Sequence, residues 1–368
     1  MIKFFDLYKQ DKIHHKKIIS KFKKIITKTN YILGDEVQIF ENNFAKFVGA
    51  KFAIGCGNGT DALTIALKSL NLPKNSEVII PAMTYCSTAF SVINCGLKPV
   101  LVDVAKNMSC IDVDKIEKKI TKNTKVIMPV HLYGSVADLR SIKKIIKKYK
   151  RKIYLIDDCS QAHGAIDATN DQKKKVGSTA DISCFSLYPG KNLGAFGDAG
   201  IITTNNKNFF QLIRKLRNLG SEKKFIHDYV GFNSRLDTIQ AAILNIKLKN
   251  LNKLNNKRKI IAKNYDSGIS NKNITKIYYS KNAVYHQYVI LVKNRKKFIK
   301  YLDKHKIGYN FHYPFSINQL KVFKNKFNNN EFKNSIKLAQ NGISLPIDPN
   351  LSKRQIGFII KKINTFNN

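Results

Sequence analysis

Apolar and polar positions along the chain follow two rhythms. Short apolar runs occur at Phe52-Ala-Ile, Glu77–Ile80, Pro99–Val104, Lys125–Val130, Lys152–Asp158, Ile182–Leu187 and Gly200–Thr204. They read as strands, several ended by turn residues such as Pro81. Between them, apolar residues return every third or fourth position, the spacing of a helix face. Asp35 is placed to cap a helix whose Val37, Phe40, Phe44 and Phe47 share one side. Leu63, Ala66, Leu67 and Leu70 form another such stripe, a further helix begins at Thr84–Thr88, and Phe209–Leu219 and Leu236–Leu248 continue the series. Residues 12–29 read as a basic amphipathic helix followed by a turn at Tyr31–Gly34. Strands alternating with helices predict an α/β fold with a mainly parallel sheet.

From about residue 250 the texture changes to more Lys and Asn. Lys259–Tyr265 and Phe298–His305 look helical and Tyr285–Val292 looks like a strand. The expected division is a large domain at 1–249 and a smaller α/β domain at 250–368, with Phe366-Asn-Asn frayed at the end.

In parallel sheets, ligands bind beyond the carboxyl ends of strands. Gly57–Thr60, Tyr85, His131 and Asp158 all fall at such ends. The turn Gly55-Cys-Gly-Asn-Gly-Thr-Asp61 opens a helix, where free N–H groups and the helix dipole favour a phosphate. It reads equally as an ordinary turn capped by Asn58 or Thr60, and it is neither a dinucleotide fingerprint nor a P-loop. Asp157 and Asp158 end an apolar strand, so only one of them can face a given site. Gln161 and His163 follow at the next turn, with His163 more readily a packing residue. Lys191 sits in FSLYPGKNLGAFGDAG at 185–200, in a glycine-rich turn and not on a charged helix face.

Composition tempers rather than redirects this picture. The formal charge of +40 suggests nucleic acid or an acidic surface. The lysines, however, are spread over amphipathic segments such as Ser141–Lys152 and Asn252–Lys263, and no zinc spacing or RNP-like strand accompanies them. Lys, Asn and Ile are what an AT-rich genome supplies. No nucleic-acid partner is expected, and the positive field suits an anionic small substrate. The six cysteines contain no CxxC pair, which argues against a disulfide framework and a structural metal. No apolar run is long enough for a membrane span, and MIKFFDLYKQ lacks a signal-peptide core, so a cytoplasmic location is expected.

A phosphate-binding helix start, an aromatic ring, a strand-end aspartate and a loop lysine together match what pyridoxal 5′-phosphate needs. Lysine forms a Schiff base with the aldehyde, and the aspartate holds the pyridinium proton that makes the ring an electron sink.

The chain also resembles the DegT/DnrJ/EryC1/StrS family of nucleotide-sugar aminotransferases, of pyridoxal-phosphate fold type I. The resemblance runs through FFDLYKQ at 4–10, YILGDEVQIFENNFAKFVGA at 31–50, GNGTDAL at 57–63, PAMTYCSTA at 81–89, PVHLYG at 129–134 and IDDCSQAHGA at 156–165. It continues through the lysine loop, GFNSRLDTIQAAIL at 231–244, HYP at 312–314 and ISLP at 343–346. It implies that Lys191 carries the cofactor, Asp158 meets the pyridine nitrogen, Gln161 lies near the ring hydroxyl and Tyr85 stacks on the ring. Gly59, Thr60 and Ser186 would bind the phosphate. Asn233 and Arg235 would reach it from the partner in a homodimer with shared sites. His312 and Tyr313 would lie near the sugar nucleotide.

Relatives with histidine in place of the lysine dehydrate their substrates; lysine here favours transamination. The implied reaction moves an amino group from L-glutamate to a keto sugar nucleotide. The wording YPGKNLGAFGD resembles members acting at C3 of a dTDP-3-keto-6-deoxyhexose, in deoxyamino sugar biosynthesis for lipopolysaccharide O-antigen. Leu219 and Ala199 depart from the usual pattern and bear on substrate fit. Alternatives are a UDP-linked or 4-keto sugar, a cyclitol, or a cofactor-binding homologue that does not transaminate.

Overall fold

The computed structural model describes residues 1–167, 174–223 and 225–367. The chain enters through α1 (Leu7–Asp11), α2 (His15–Lys28) and α3 (Asp35–Val48). It then alternates β1 (Phe52–Cys56), α4 (Gly59–Ser69), β2 (Glu77–Pro81), α5 (Cys86–Asn94), β3 (Lys98–Val102), α6 (Val113–Ile116), β4 (Thr124–Ile127), α7 (Leu139–Lys147) and β5 (Tyr154–Asp158). β6 (Ile182–Ser186), β7 (Gly200–Thr204), α8 (Lys207–Leu216), the short pair β8 (Ser221–Lys223) and β9 (Ile226–His227), and α9 (Thr238–Leu248) follow. The remainder comprises α10 (Leu251–Gly268), β10 (Ile274–Lys276), β11 (Tyr288–Val292), α11 (Arg295–Lys304), α12 (Lys333–Asn341), β12 (Gly342–Leu345) and α13 (Lys353–Asn364).

β1 to β7 form one sheet in the order β1-β7-β6-β5-β4-β2-β3. β3, β2, β4, β5 and β6 run parallel, and β7 lies antiparallel to both β1 and β6. The α/β reading with a mainly parallel sheet is what the chain adopts. Strand side chains alternate between faces. Ile54, Cys184 and Ile202 pack with Leu63 and Leu67 of α4 and Ile213 of α8. Their neighbours Ala53, Phe185 and Ile201 pack on the other side with Val37, Phe40 and Phe44 of α3. Burying both faces between helices is what a central parallel sheet requires.

A second, antiparallel sheet has the order β10-β11-β12. Its core joins Tyr288, Ile290 and Val292 to Ile261 and Tyr265 of α10, Phe298 of α11 and Ile359 of α13. The N-terminus reaches it through an Ile2–Ile307 bridge, while Ile317, Phe323 and Phe332 return to the core of the larger sheet.

Several local expectations shift. Gly34, not Asp35, is the N-cap of α3; Asp35 and Glu36 occupy its first turn, where their charge complements the dipole. α9 starts at Thr238, and Tyr285 has a positive φ of 48° ahead of β11. Phe366 is not frayed: it is 1 % exposed and packs edge-on against Phe298 at 4.8 Å. Asn368 lies outside the described residues.

Candidate active site

A cavity of about 870 Å³ opens beyond the carboxyl ends of β5 and β6. Gly59, Thr60, Tyr85, Asp158, Gln161, Ser186, Lys191, His312 and Tyr313, separated by up to some 250 positions in sequence, all line it. Asn233 and Arg235 do not: Asn233 is exposed, and Arg235 donates to Asn218 Oδ1 at 3.2 Å.

At one end the start of α4 presents its backbone N–H groups. Asn58 settles the capping question, since its side chain accepts from Asp61 N at 2.8 Å. That leaves the N–H groups of Gly59 and Thr60 without an intrahelical acceptor, as at any helix start. The turn lies so close to β6 that a Cβ on Gly59 would sit 2.5 Å from Ser186 Cβ. The hydroxyls of Thr60 and Ser87 share a 2.7 Å hydrogen bond at the same end.

Asp157 and Asp158 face opposite ways, as alternation demands. Asp158 is 5 % exposed; its Oδ2 accepts from the Thr88 hydroxyl and its Oδ1 from Ser160 N, both at 3.0 Å. Thr84 Oγ1 lies 2.8 Å from Thr88 Oγ1, so Thr84 supplies the proton that Thr88 spends elsewhere. Asp157 pairs with His131 Nε2 at 3.2 Å. With Cys159 these form a buried trio whose ligand-type atoms lie within 4.8 Å of one another. Nδ1 of His131 already accepts from Ala137 N at 3.1 Å, so neither ring nitrogen is spare for a metal.

Lys191 stands in a turn closed by its own N–H donating to Tyr188 O at 2.9 Å. Among the described residues its amine has no hydrogen-bond or ion-pair partner. Burial brings its pKa down from the usual lysine range to about 8, against the opposing pull of Asp158. The adjacent Asn192 anchors the turn: its amide donates to Asn255 Oδ1 at 2.9 Å, and its Oδ1 faces His286 Nδ1 at 3.0 Å. With the Asn192 nitrogen occupied as donor, Nδ1 of His286 carries the proton and Nε2 is a bare acceptor.

Gln161 holds the far wall. Its Oε1 accepts from Tyr133 N at 2.6 Å and its Nε2 donates to Tyr313 Oη at 2.8 Å. Tyr313 packs 5.3 Å from Tyr85, which is 53 % exposed in the single chain. His312 Nδ1 lies 2.8 Å from Ser344 Oγ; burial, aided by Lys191, lowers its pKa to about 4 and keeps it neutral. His163 is a fully buried packing residue, 5.4 Å from Phe185.

Thr88, Ser87, Arg258, His286 and Gln287 also belong to this site or its support and were not singled out from sequence. Thr88 lies one turn after Tyr85 on a helix facing a strand end, the one signal that could have marked it.

The donor set fits pyridoxal 5′-phosphate: an anion cradle, a buried carboxylate, and an unpaired amine with a lowered pKa. A three-layer α/β fold with this cleft is the architecture of a fold type I aminotransferase. The chain belongs to the DegT/DnrJ/EryC1/StrS aminotransferase family, which matches residues 12–364. It is 40% identical, over 100% of its length and 99% of the relative's, to dTDP-3-amino-3,6-dideoxy-alpha-D-galactopyranose transaminase of Aneurinibacillus thermoaerophilus. It is 36% identical, over 98% of both chains, to UDP-2-acetamido-2-deoxy-3-oxo-D-glucuronate aminotransferase of Pseudomonas aeruginosa. The crystal structure of S. venezuelae DesV in complex with a ketimine intermediate superposes with a TM-score of 0.94 at 30% identity, covering 99% of this chain and 97% of that one.

Proposed function

We propose that the protein transfers an amino group from L-glutamate to C3 of a dTDP-3-keto-6-deoxyhexose. Pyridoxal 5′-phosphate is the cofactor; when bound, it supplies the electron sink that lets a proton move between carbon atoms. The observation that carries the reading is the unpaired Lys191 amine in one cavity with Asp158 and the α4 start.

The chain's own residues divide the work. Gly59, Thr60 and Ser186 hold the phosphate through N–H and hydroxyl groups. Asp158, held by Thr88 and Ser160, would be the partner of the ring nitrogen. Tyr85 covers the ring, and Gln161 donates near its hydroxyl. Lys191 holds the cofactor at rest and, once displaced, takes a proton from the substrate carbon and returns it, a role suited to a pKa of about 8. His312 and Tyr313 contact the sugar nucleotide. Asn233 and Arg235 complete the phosphate site of a second copy of this chain, which explains why neither lines the cavity of its own. The enzyme acts in the cytoplasm as a homodimer, in deoxyamino sugar biosynthesis for O-antigen, with 1–249 as the cofactor domain and 250–368 as the smaller one.

A panel of dTDP- and UDP-linked 3-keto and 4-keto sugars with glutamate, read by mass spectrometry, tests this. A one-nitrogen product from the dTDP-3-keto sugar is expected. Turnover of only UDP-linked or 4-keto sugars would sink the substrate assignment. Cofactor binding without conversion to its amine form by glutamate would sink transamination.

A further inference from the structure

The cavity wall carries a cation left without an anionic partner. Arg258 projects from α10 into the cavity and is 2 % exposed. One terminal nitrogen, Nη2, donates to Gln10 Oε1 at 3.3 Å, a neutral acceptor; the other, Nη1, has no partner. Among the described residues no carboxylate comes within 4.0 Å of it. Asp348, the carboxylate whose field it feels, already accepts from Asp6 N at 2.8 Å and Asn350 N at 2.7 Å. Burying a guanidinium without an anion is costly, and such groups are ordinarily paired.

A second orphan lines the same cavity. Gln287 is buried, lines the cavity, and its Oε1 has no partner. Its orientation is fixed by its neighbour. The bare Nε2 of His286 lies 3.4 Å from Gln287 Nε2, so the amide nitrogen points there and the oxygen is left free. An unpaired cationic donor and an unpaired acceptor that line one cavity, with His286 feeling the charge of the first and touching the second, suit a ligand bearing both a carboxylate and N–H groups. Among the described residues, Arg258 and Lys191 are the only lysine or arginine side chains that line the cavity. The neighbouring imidazoles of His286 and His312 are held neutral by burial. With Lys191 committed to the reacting centre, Arg258 is the fixed positive charge for an anionic donor.

We propose that Arg258 binds a carboxylate of the amino-acid donor, with Gln287 accepting from the donor's N–H groups. The inference rests on the transaminase reading above and assigns the donor's place within that site. Arg258 then discriminates donors by charge, and plain alkylamines gain nothing from it.

The test separates the two half-reactions on cofactor-loaded protein by single-turnover absorbance. In Arg258→Met, the glutamate concentration for half-maximal rate is expected to rise roughly 100-fold, the scale of one lost charge-assisted hydrogen-bond pair. Amination of the keto sugar nucleotide by the amine-loaded variant should stay within about 3-fold of wild type. Arg258→Lys, which keeps the charge, should recover part of the glutamate affinity. Binding is read independently of turnover: glutarate, a dicarboxylate with no amine, should raise the Tm of wild-type protein and not of Arg258→Met. Absence of a glutarate shift in wild type overturns the proposal even if the variant does not fold. A loss confined to the keto sugar half-reaction overturns it in favour of the nucleotide diphosphate, and equal loss in both reduces Arg258 to a packing role. Wild type inert to glutamate in the first half-reaction refutes the transaminase reading instead.

Discussion

The Thr88 hydroxyl donates to Oδ2 of Asp158 at 3.0 Å, although 70 positions separate the two in sequence. Thr88 lies on α5 and Asp158 at the end of β5, so the bond ties a helix start to the strand end that carries the charge. With Thr84 behind Thr88, the carboxylate is aimed by two hydroxyls in series. If Asp158 meets the cofactor's ring nitrogen, a carboxylate held in this way needs no reorganisation when the ring N–H arrives, which is the benefit of a fixed charge in a dry site.

Replacing Thr88 with Val removes that donor with little change of shape. Cofactor affinity should fall about 10-fold, the worth of one hydrogen bond to a charged group. Titration of cofactor-free T88V with cofactor, followed by absorbance, checks it. Affinity within about 2-fold of wild type would leave the bond without a role.

Lys191 reacts with an aldehyde only as the free amine. Because burial lowers its pKa to about 8, capture of cofactor by the cofactor-free protein should speed up as pH rises from 6.5 to 8.5 and then level off. Stopped-flow absorbance across that range provides the profile. A rate still climbing steeply at pH 10 would mean that the amine is not desolvated in solution.

The same shift has a stability consequence. The unfolded chain, with lysine near 10.5, holds this proton more tightly than the folded one at about 8, so the folded state gains stability as pH rises between those values. Below pH 8 the full penalty is present. Cofactor-free Lys191→Met should therefore be more stable than wild type at pH 7, by up to about 3 kcal/mol, with the gap narrowing toward pH 10. Denaturant unfolding at the two pH values measures it; a gap independent of pH would contradict the linkage.

Gly59→Ala would drive a methyl group to 2.5 Å from Ser186 Cβ. Loss of about 1–3 kcal/mol in stability is expected from such overpacking, with weakened cofactor binding. Adding Ser186→Gly should recover only part of the stability, because the Ser186 Cα would still lie 2.9 Å from the new methyl group. Unchanged thermal unfolding of G59A would show that the α4 start is not pressed against β6.

If Asn233 serves the site of a second copy, Lys191→Ala and Asn233→Ala proteins are each impaired, yet a co-refolded mixture regains activity. Hybrids carrying both lesions in one site leave the other site whole, so about a quarter of wild-type activity is expected from a random two-chain mixture. No recovery in a mixture shown by mass to contain hybrids would place Asn233 outside the shared site.

Much of this site was legible because its chemistry sits where strands end. Asp158 and the Gly57–Thr60 turn announce themselves by interrupting apolar runs, and Lys191 by its glycines. Thr88 was hidden because a threonine in the first turn of a helix ordinarily serves that helix, and its partner is distant in sequence. Arg258 was hidden among the cations of a lysine-rich helix, where periodicity alone cannot distinguish a buried charge from a solvated one. Phe366 was misread because terminal position suggests fraying, whereas Phe298 and Tyr301 offer the ring contacts that hold it. Gly34 displaced Asp35 as the cap because the helix begins one residue earlier than the first acidic side chain suggests, within the ordinary uncertainty of helix ends.

The antiparallel β7 gives the growing chain a timetable. β1 pairs with β7 alone, and a Cβ on Gly200 would meet Asn58 O at 2.3 Å, so the cradle turn rests directly on a strand made almost 150 residues later. During synthesis the first strand and its phosphate-type turn must wait at an open sheet edge until β7 emerges. If that turn holds the cofactor's phosphate, cofactor loading is a late event in the birth of the protein, waiting until residue 204 has left the ribosome.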